Sequence, residues 1–120
     1  MIKKVLLVEN DRDTLDILIY ILEDKGYHVI SSATGAVLSR IHELQPDIII
    51  LDEWLDNGES GSEWCRRVKA DNSTAGIPVL LISTHPRLED IAHAAGADGF
   101  IKKPFDINGF CSTVERYLNS

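Results

Sequence analysis

Five short apolar runs alternate along the chain with stretches of helical periodicity, and this alternation constrains the fold more than any other feature. The runs are KVLLVE, YHVISS, DIIILD, PVLLIS and DGFIK, all rich in Val, Ile or both. The first, third and fourth are continuously apolar through their centres, as is typical of strands covered on both faces. Strict β/α alternation predicts an α/β fold: a doubly wound, mostly parallel sheet with right-handed crossovers and helices on both faces.

Each stretch between the runs places apolar residues on one helical face. These sets are Leu15, Leu18, Ile19 and Leu22; Val37, Leu38 and Ile41; Trp64 and Val68; Leu88, Ile91, Ala92 and Ala95; and Phe110, Val114 and Tyr117. Gly26 and Gly96 fit left-handed positions after helices, and Pro86 fits a first helical turn. Ser60 and Glu63 have the spacing of a capping box. We therefore predict five βα units.

Composition limits the classes of protein to which the chain can belong. With 120 residues, 44% of them hydrophobic, and no linker or repeat, we expect one domain over residues 1–120. The net charge of -7 argues against direct binding of nucleic acid or an anionic membrane. Cys65 and Cys111 lack a CxxC spacing, which predicts buried thiols in a reducing compartment. Without a signal peptide or membrane span, we expect a cytoplasmic protein.

Polar side chains gather where the predicted strands end, and in parallel sheets binding sites form at those carboxyl ends. Asp52 terminates a run of four apolar residues, a position where a strand terminus alone requires no carboxylate. Neighbouring carboxylates need a cation, and oxygen ligands suit Mg²⁺. Asp52 can then attack a phosphoryl group, while the metal and Lys103 neutralise the transferred oxygens and a hydroxyl binds another of them. The strand-end residues are Glu9, Asn10, Asp11, Asp52, Ser83, Thr84, Lys102, Lys103 and Pro104.

Over its whole length the chain resembles a response-regulator receiver domain of two-component signalling, through the motifs IILD, PVLLIS and AAGADGFIKKPF. The resemblance implies a flavodoxin-like, five-stranded sheet of order 2-1-3-4-5. It also implies that Asp52 is the phosphoacceptor, Ser83 the hydroxyl that follows the phosphoryl group, and Lys103 its cationic partner. The Lys103–Pro104 bond would be cis, as is usual in the family. Phe100 would be the aromatic switch residue.

The resemblance further implies Mg²⁺ as cofactor, held by Asp52, the backbone carbonyl of Trp54 and an acidic pair after the first strand. Glu9 and Asn10 occupy the positions of that pair, so one negative charge is missing. Asn10 still offers a carbonyl oxygen, but a lower ligand charge weakens the binding of hard cations. Asp11 either supplies the missing charge or caps the first helix, and its position favours the cap.

The loop after Asp52 also departs from the family pattern. Asp56 stands where the family commonly has proline, and reaching Gly61 takes one extra residue near Ser60. Trp54 follows Asp52 by two residues and His85 follows Ser83 by two, which places two bulky rings at the pocket mouth. Either the pair hinders the water that hydrolyses an acyl phosphate, or Trp54 packs on its own loop.

The leading interpretation is a phosphorelay receiver that accepts a phosphoryl group on Asp52 from a partner histidine kinase or histidine phosphotransfer protein. It would catalyse only its own phosphorylation and dephosphorylation. Its fourth and fifth βα units would then bind an effector domain or a second copy. The alternative is a phosphate-independent interaction module whose metal binding is weakened by Asn10. A phosphohydrolase with an aspartyl nucleophile is disfavoured, because such enzymes commonly have a second Asp two residues after the nucleophile and Trp54 stands there. A flavin-binding module is disfavoured because Glu9 and Asp11 would repel the phosphate of the cofactor.

Overall fold

The computed structural model describes residues 2–55 and 58–119, which form a five-stranded parallel sheet flanked by helices. The strand order is β2-β1-β3-β4-β5, which confirms the predicted doubly wound topology. In chain order the elements are β1 Lys4–Val8, α1 Arg12–Asp24, β2 His28–Ser32, a 3-10 helix Gly35–Arg40, α2 Ile41–Leu44, β3 Ile48–Asp52, α3 Gly61–Ala70, β4 Val79–Ser83, α4 Leu88–Ala95, β5 Gly99–Lys102 and α5 Ile107–Leu118.

The sheet is covered on both faces, as the continuous apolar runs predict. Every residue of β3 and β4 is buried, and successive side chains alternate between two hydrophobic clusters. Leu7 and Ile50 pack with α1 and α5 on one face. Leu6 and Ile49 pack on the other face with the 3-10 helix, α2, α3 and α4. This burial holds the carboxyl ends of the central strands in fixed positions.

Several helix ends are as the sequence predicts. Asp11 and Ser60 cap α1 and α3, each accepting a hydrogen bond from the backbone N–H three residues later. Gly96 ends α4 at φ 77°, and Gly26 follows α1 at φ 90°; such left-handed backbone favours glycine. The caps at Asp11 and Ser60 fix where the loops that follow β1 and β3 end.

The prediction that Pro86 lies in the first turn of a helix is wrong. The helix α4 begins at Leu88, and Pro86 lies in the turn before it. In that turn the Leu88 N–H donates to the carbonyl of His85 at 3.2 Å. The fixed φ of proline suits the second position of such a turn as well as it suits a helix start, so the sequence alone does not distinguish the two.

The second helical stretch is less regular than its periodicity predicts, because it divides into a 3-10 helix and the single turn α2. Within it the Ser39 hydroxyl donates to the carbonyl of Ala36 at 2.8 Å, a local bond that accompanies tighter winding. In α1 the helical periodicity predicts that Ile19 lies on the buried face, but Ile19 is only partly buried. Ile21, which the periodicity did not place on that face, is buried where α5 packs beside the helix.

Both cysteines are free and buried, in agreement with the sequence prediction. Burial raises the pKa of the Cys65 thiol to about 11. Among the described residues, no helix has the length and apolar character needed to cross a membrane.

Candidate functional site

The strand register brings the predicted site residues to one edge of the sheet. Val8 pairs with Leu51, so Glu9 follows β1 beside Asp52 at the end of β3. Ser83 pairs with Lys102 at the ends of β4 and β5, and Lys103 follows directly. Lys103 also donates its backbone N–H to the carbonyl of Ser83 at 2.9 Å. Acids, a hydroxyl and a cation therefore meet at the carboxyl ends of the central strands.

Lys103 lies between the two buried acids. Its Nζ is 2.7 Å from Oε1 of Glu9 and 3.7 Å from Oδ2 of Asp52. The Glu9 side chain is fully buried and that of Lys103 is 16% exposed, so water screens this cluster weakly. The Lys103–Pro104 bond is cis, as the resemblance implies. The ammonium group thus pairs with Glu9 first and with Asp52 at a longer distance.

Asp52 is only 2% exposed, and its environment disfavours ionisation. Burial is the main cause that raises the pKa of its carboxyl group, to about 7, and a hydrogen bond with Glu9 and the charge of Glu9 add to it. The Trp54 N–H, 3.1 Å from Oδ1, and the charge of Lys103 act in the opposite direction. The site therefore holds more negative charge than Lys103 alone offsets, which favours an additional cation.

Asp11 is engaged at the start of α1. Its Oδ2 accepts hydrogen bonds from the N–H of Thr14, at 3.1 Å, and from the Thr14 hydroxyl. These bonds hold the pKa of the Asp11 carboxyl below its ordinary value. The Asp11 N–H donates to Oε2 of Glu9 at 3.2 Å, which helps to fix the buried acid. Asn10 is exposed at the rim of the site.

Ser83 offers a buried hydroxyl at the end of β4, whereas the adjacent Thr84 is exposed. Oγ of Ser83 accepts a hydrogen bond from the N–H of His85 at 3.0 Å, which leaves its own proton available for donation. Phe100 is half-buried on β5 and lines a cavity of about 510 Å³ between α4, β5 and α5. The hydroxyl and the aromatic ring thus lie on neighbouring strands.

Trp54 and His85 stand together beside the strand ends. Their ring centroids are 5.6 Å apart with an angle of 31° between the planes, and Trp54 remains 54% exposed. The Trp54 backbone also pairs with Ser60 across the loop. The backbone of Trp54 therefore packs on its own loop while its ring contacts His85, and steric protection of an acyl phosphate by the pair stays a prediction. Asp56 lies outside the described residues.

Sequence reasoning missed Glu53, a third buried acid, which follows Asp52 in the chain. Its carboxylate is 6% exposed and accepts hydrogen bonds from the N–H of Ser62 at 2.7 Å and from the Ser62 hydroxyl at 3.0 Å. Gly61 packs so tightly against the Asp52 carbonyl that a Cβ at this position would clash. The sequence feature that could have identified Glu53 is an acid directly after a buried strand, followed by a serine in the first turn of the next helix.

The model of the response regulator receiver domain family matches residues 5–115. The chain belongs to this family. Receiver domains are modules of two-component systems and interact with histidine kinases and effector domains. The fold described above agrees with the resemblance read from the sequence.

Among its relatives, the receiver domain is 29% identical over 108 residues to the phosphate regulon transcriptional regulatory protein PhoB of Escherichia coli, an alignment that covers 88% of this chain and 47% of PhoB. A putative response regulator from Chloroflexus aurantiacus is 27% identical, with a TM-score of 0.92 and full coverage of both chains. The chemotaxis protein CheY4 of Vibrio cholerae is 27% identical, with a TM-score of 0.88, covering 98% of this chain and 100% of CheY4. The chain spans about half the length of the curated relatives it matches.

Receiver domains generally bind Mg²⁺ for phosphorylation. Within residues 2–55 and 58–119, no three His, Cys, Asp or Glu side chains are grouped so that they could hold a metal. Glu9 and Asp52 nevertheless provide two buried carboxylates, and a bound cation would offset the burial and the Glu9 charge that raise the pKa of Asp52. The donor chemistry of this receiver domain therefore fits Mg²⁺, with one carboxylate fewer than the family pattern because of Asn10.

Proposed function

We propose that this receiver domain accepts a phosphoryl group on Asp52 from a phosphohistidine of a partner histidine kinase or histidine phosphotransfer protein. The observation that carries the proposal is the buried Asp52 carboxylate, 2% exposed, with the ammonium of Lys103 3.7 Å away. A buried acid with an adjacent cation matches the requirements of an attacking carboxylate whose product carries several negative oxygens.

In the proposed reaction an Asp52 carboxylate oxygen attacks phosphorus, and the phosphorus–nitrogen bond to the donor imidazole breaks. The imidazole leaves with the bonding electron pair and takes up a proton. Lys103 and the Ser83 hydroxyl bind oxygens of the transferred group. Glu9, Asn10, Asp52 and the Trp54 carbonyl would hold Mg²⁺, which when bound supplies positive charge to the carboxylates and to the transferred oxygens. The domain would catalyse only its own phosphorylation and dephosphorylation.

The signal would pass from Ser83 to the surface around β5. Drawing the Ser83 hydroxyl towards the phosphoryl group vacates space at the end of β4, and Phe100 on the neighbouring strand would turn inward. The cavity of about 510 Å³ that Phe100 lines would change shape as a result. An effector domain or a second copy of the chain would bind at this face of α4, β5 and α5.

An exposed apolar patch beside Lys103 supports a protein as the phosphodonor. Ile17 on α1 and Ile107 on α5 are 55% and 57% exposed. Together with Thr84, Lys103 and Phe105 they line a cavity of about 420 Å³. Exposed apolar side chains next to a reactive site are typical of a protein interface, because burying them stabilises the complex.

The test is labelling with a small phosphodonor such as acetyl phosphate, followed by intact mass measurement. We expect one phosphoryl group per chain in Mg²⁺ and none after chelation with EDTA. The alternative, a phosphate-independent interaction module, is favoured by Asn10 and predicts no label under either condition. Full labelling in EDTA would contradict the proposed role of Mg²⁺.

A further inference from the structure

The side chain of Glu53 connects the end of β3 to the first turn of α3. Both carboxylate oxygens are occupied: Oε1 accepts from the Ser62 N–H at 2.7 Å and Oε2 from the Ser62 hydroxyl at 3.0 Å. The backbone N–H of Glu53 donates to the carbonyl of Ile82 at 3.1 Å, which extends the pairing of β3 with β4. Glu53 is therefore held by the sheet through its backbone and by the helix through its side chain.

One peptide group links these contacts to the phosphoacceptor. The Glu53 carbonyl and the Trp54 N–H belong to the same planar unit, so the direction of one fixes the direction of the other. The carbonyl accepts from the Gly61 N–H at 2.9 Å, and the N–H donates to Oδ1 of Asp52 at 3.1 Å. Any shift of Gly61 would thus rotate the donor that orients the Asp52 carboxylate.

Glu53 controls the position of Gly61, because it binds Ser62, the next residue along α3. The tight packing of Gly61 against the Asp52 carbonyl leaves little room for an alternative arrangement. An acid at the start of α3 also interacts favourably with the positive end of the helix dipole. If the orientation of Asp52 did not depend on these contacts, they would serve stability alone, as any helix cap does.

We propose that Glu53 is a positioning residue for phosphoryl transfer: by holding the first turn of α3 against β3, it fixes the peptide group that orients the Asp52 carboxylate. This inference rests on the proposed function of Asp52 as phosphoacceptor. Glu53 itself touches neither the donor nor the transferred group. Its effect passes through Ser62, Gly61 and the N–H of Trp54.

The test compares Glu53→Ala and Glu53→Gln with Asp71→Ala, a matched control in which an acid at the other end of α3 loses hydrogen bonds from the N–H and the hydroxyl of Ser73. Three quantities are measured: the melting temperature, the maximal rate of labelling by acetyl phosphate in Mg²⁺, and the hydrogen exchange rate of the Trp54 amide in EDTA. The exchange measurement requires no phosphoryl transfer and no metal. Labelling is followed at a temperature where all the variants are folded.

We expect Glu53→Ala to lower the maximal labelling rate by about tenfold or more and to speed exchange of the Trp54 amide. Glu53→Gln retains an acceptor for the Ser62 N–H and should keep most of the rate. Asp71→Ala should lower the melting temperature but leave the rate and the exchange unchanged. If Glu53→Ala does not fold, Ser62→Ala replaces it in the comparison. Ser62→Ala removes the hydrogen bond from the Ser62 hydroxyl to Glu53 and keeps the one from the Ser62 N–H. A reduced labelling rate in Ser62→Ala would again support the proposal.

The proposal is overturned if Glu53→Ala, or Ser62→Ala in its place, labels at the rate of Asp71→Ala with unchanged Trp54 exchange. It is also overturned if Glu53→Gln is as slow as Glu53→Ala, because hydrogen-bond geometry would then not be the cause. Failure of the wild-type chain to accept a phosphoryl group rejects the proposed function, and the role of Glu53 in transfer with it. A labelled wild type with an unaffected Glu53→Ala rejects the role of Glu53 alone.

Discussion

Lys103 and Glu9 form a buried ion pair in which the ammonium nitrogen lies 2.7 Å from Oε1 of a fully buried carboxylate. The same nitrogen is 3.7 Å from Oδ2 of Asp52. The Lys103 ammonium thus offsets the negative charge of Glu9 more fully than that of Asp52, whose pKa is raised. This unequal sharing of one ammonium group by two acids is the basis of the predictions that follow.

Removing the ammonium group should destabilise the fold near neutral pH. Lys103→Ala leaves Glu9 buried without its cation, at an expected cost of roughly 2–4 kcal/mol in free energy of unfolding. The matched control is Lys102→Ala, an exposed neighbour whose loss should cost less than about 0.5 kcal/mol. Urea unfolding of both variants in EDTA measures the difference. Equal destabilisation by the two changes would show that the buried ion pair contributes nothing specific.

The raised pKa of Asp52 predicts how stability depends on pH. The folded chain keeps a proton on Asp52 up to about pH 7, whereas the unfolded chain releases it near the ordinary value of 3.8. The stability linked to this proton is therefore present below that ordinary value and is lost as the pH rises through the folded pKa. Asp52→Asn cannot lose a proton, so relative to wild type it should gain stability from about pH 4 to about pH 8, by up to about 4 kcal/mol.

Melting of wild type and Asp52→Asn in EDTA across this pH range checks the prediction, because the titrations of groups distant from Asp52 cancel in the difference. A difference in melting temperature that is independent of pH would mean that the Asp52 carboxyl titrates normally in the folded chain.

Restoring the missing charge at position 10 should strengthen Mg²⁺ binding. Asn10→Asp adds a carboxylate beside Glu9 and Asp52, which should contribute roughly 1–3 kcal/mol, a tightening of about 5- to 150-fold. Titration of Mg²⁺ followed by the fluorescence of the exposed Trp54, with half-buried Trp64 as background, measures the affinity. Without metal the variant should be less stable than wild type, because the added charge crowds Glu9 and Asp52. Equal or weaker Mg²⁺ affinity would mean that position 10 does not contribute a ligand.

The contact of Trp54 with His85 predicts a slow loss of the phosphoryl group. With ring centroids 5.6 Å apart beside the strand ends, the pair should restrict the approach of the hydrolytic water. The Trp54→Ala, His85→Ala double variant should therefore have a shorter phosphoryl half-life than wild type, with each single variant in between. The half-life is followed by intact mass after removal of the donor. An unchanged half-life in the double variant would rule out steric protection.

The β/α alternation and the location of the site were predictable from local patterns, whereas the strand order 2-1-3-4-5 was implied by the family resemblance. Continuous apolar runs identify β1, β3 and β4, and parallel pairing brings their polar ends to one edge. The sequence did not determine whether Pro86 lies in a turn or at a helix start, because proline suits both positions. Ile21 was missed because its burial depends on the packing of α5, which the periodicity of α1 does not contain.

Within the site, residue types at strand ends predicted Asp52, Ser83 and Lys103 as neighbours. They did not predict how the Lys103 ammonium would be placed between its two acidic partners. That placement is set by side-chain distances of 2.7 and 3.7 Å, which no sequence pattern records. Glu53 was overlooked because its partner, Ser62, is nine residues away and becomes a neighbour only when α3 folds back on β3. Contacts of this kind arise from tertiary packing and not from local sequence.

The central claim is that Asp52 is the phosphoacceptor, and intact mass of the chain after acetyl phosphate treatment in Mg²⁺ tests it most directly. Wild type and Asp52→Asn are compared with Asp11→Asn, a control that alters an acid engaged in capping α1. We expect wild type and Asp11→Asn each to gain the mass of one phosphoryl group, and Asp52→Asn to gain none. The same mass gain in Asp52→Asn at a comparable rate would contradict the assignment of Asp52.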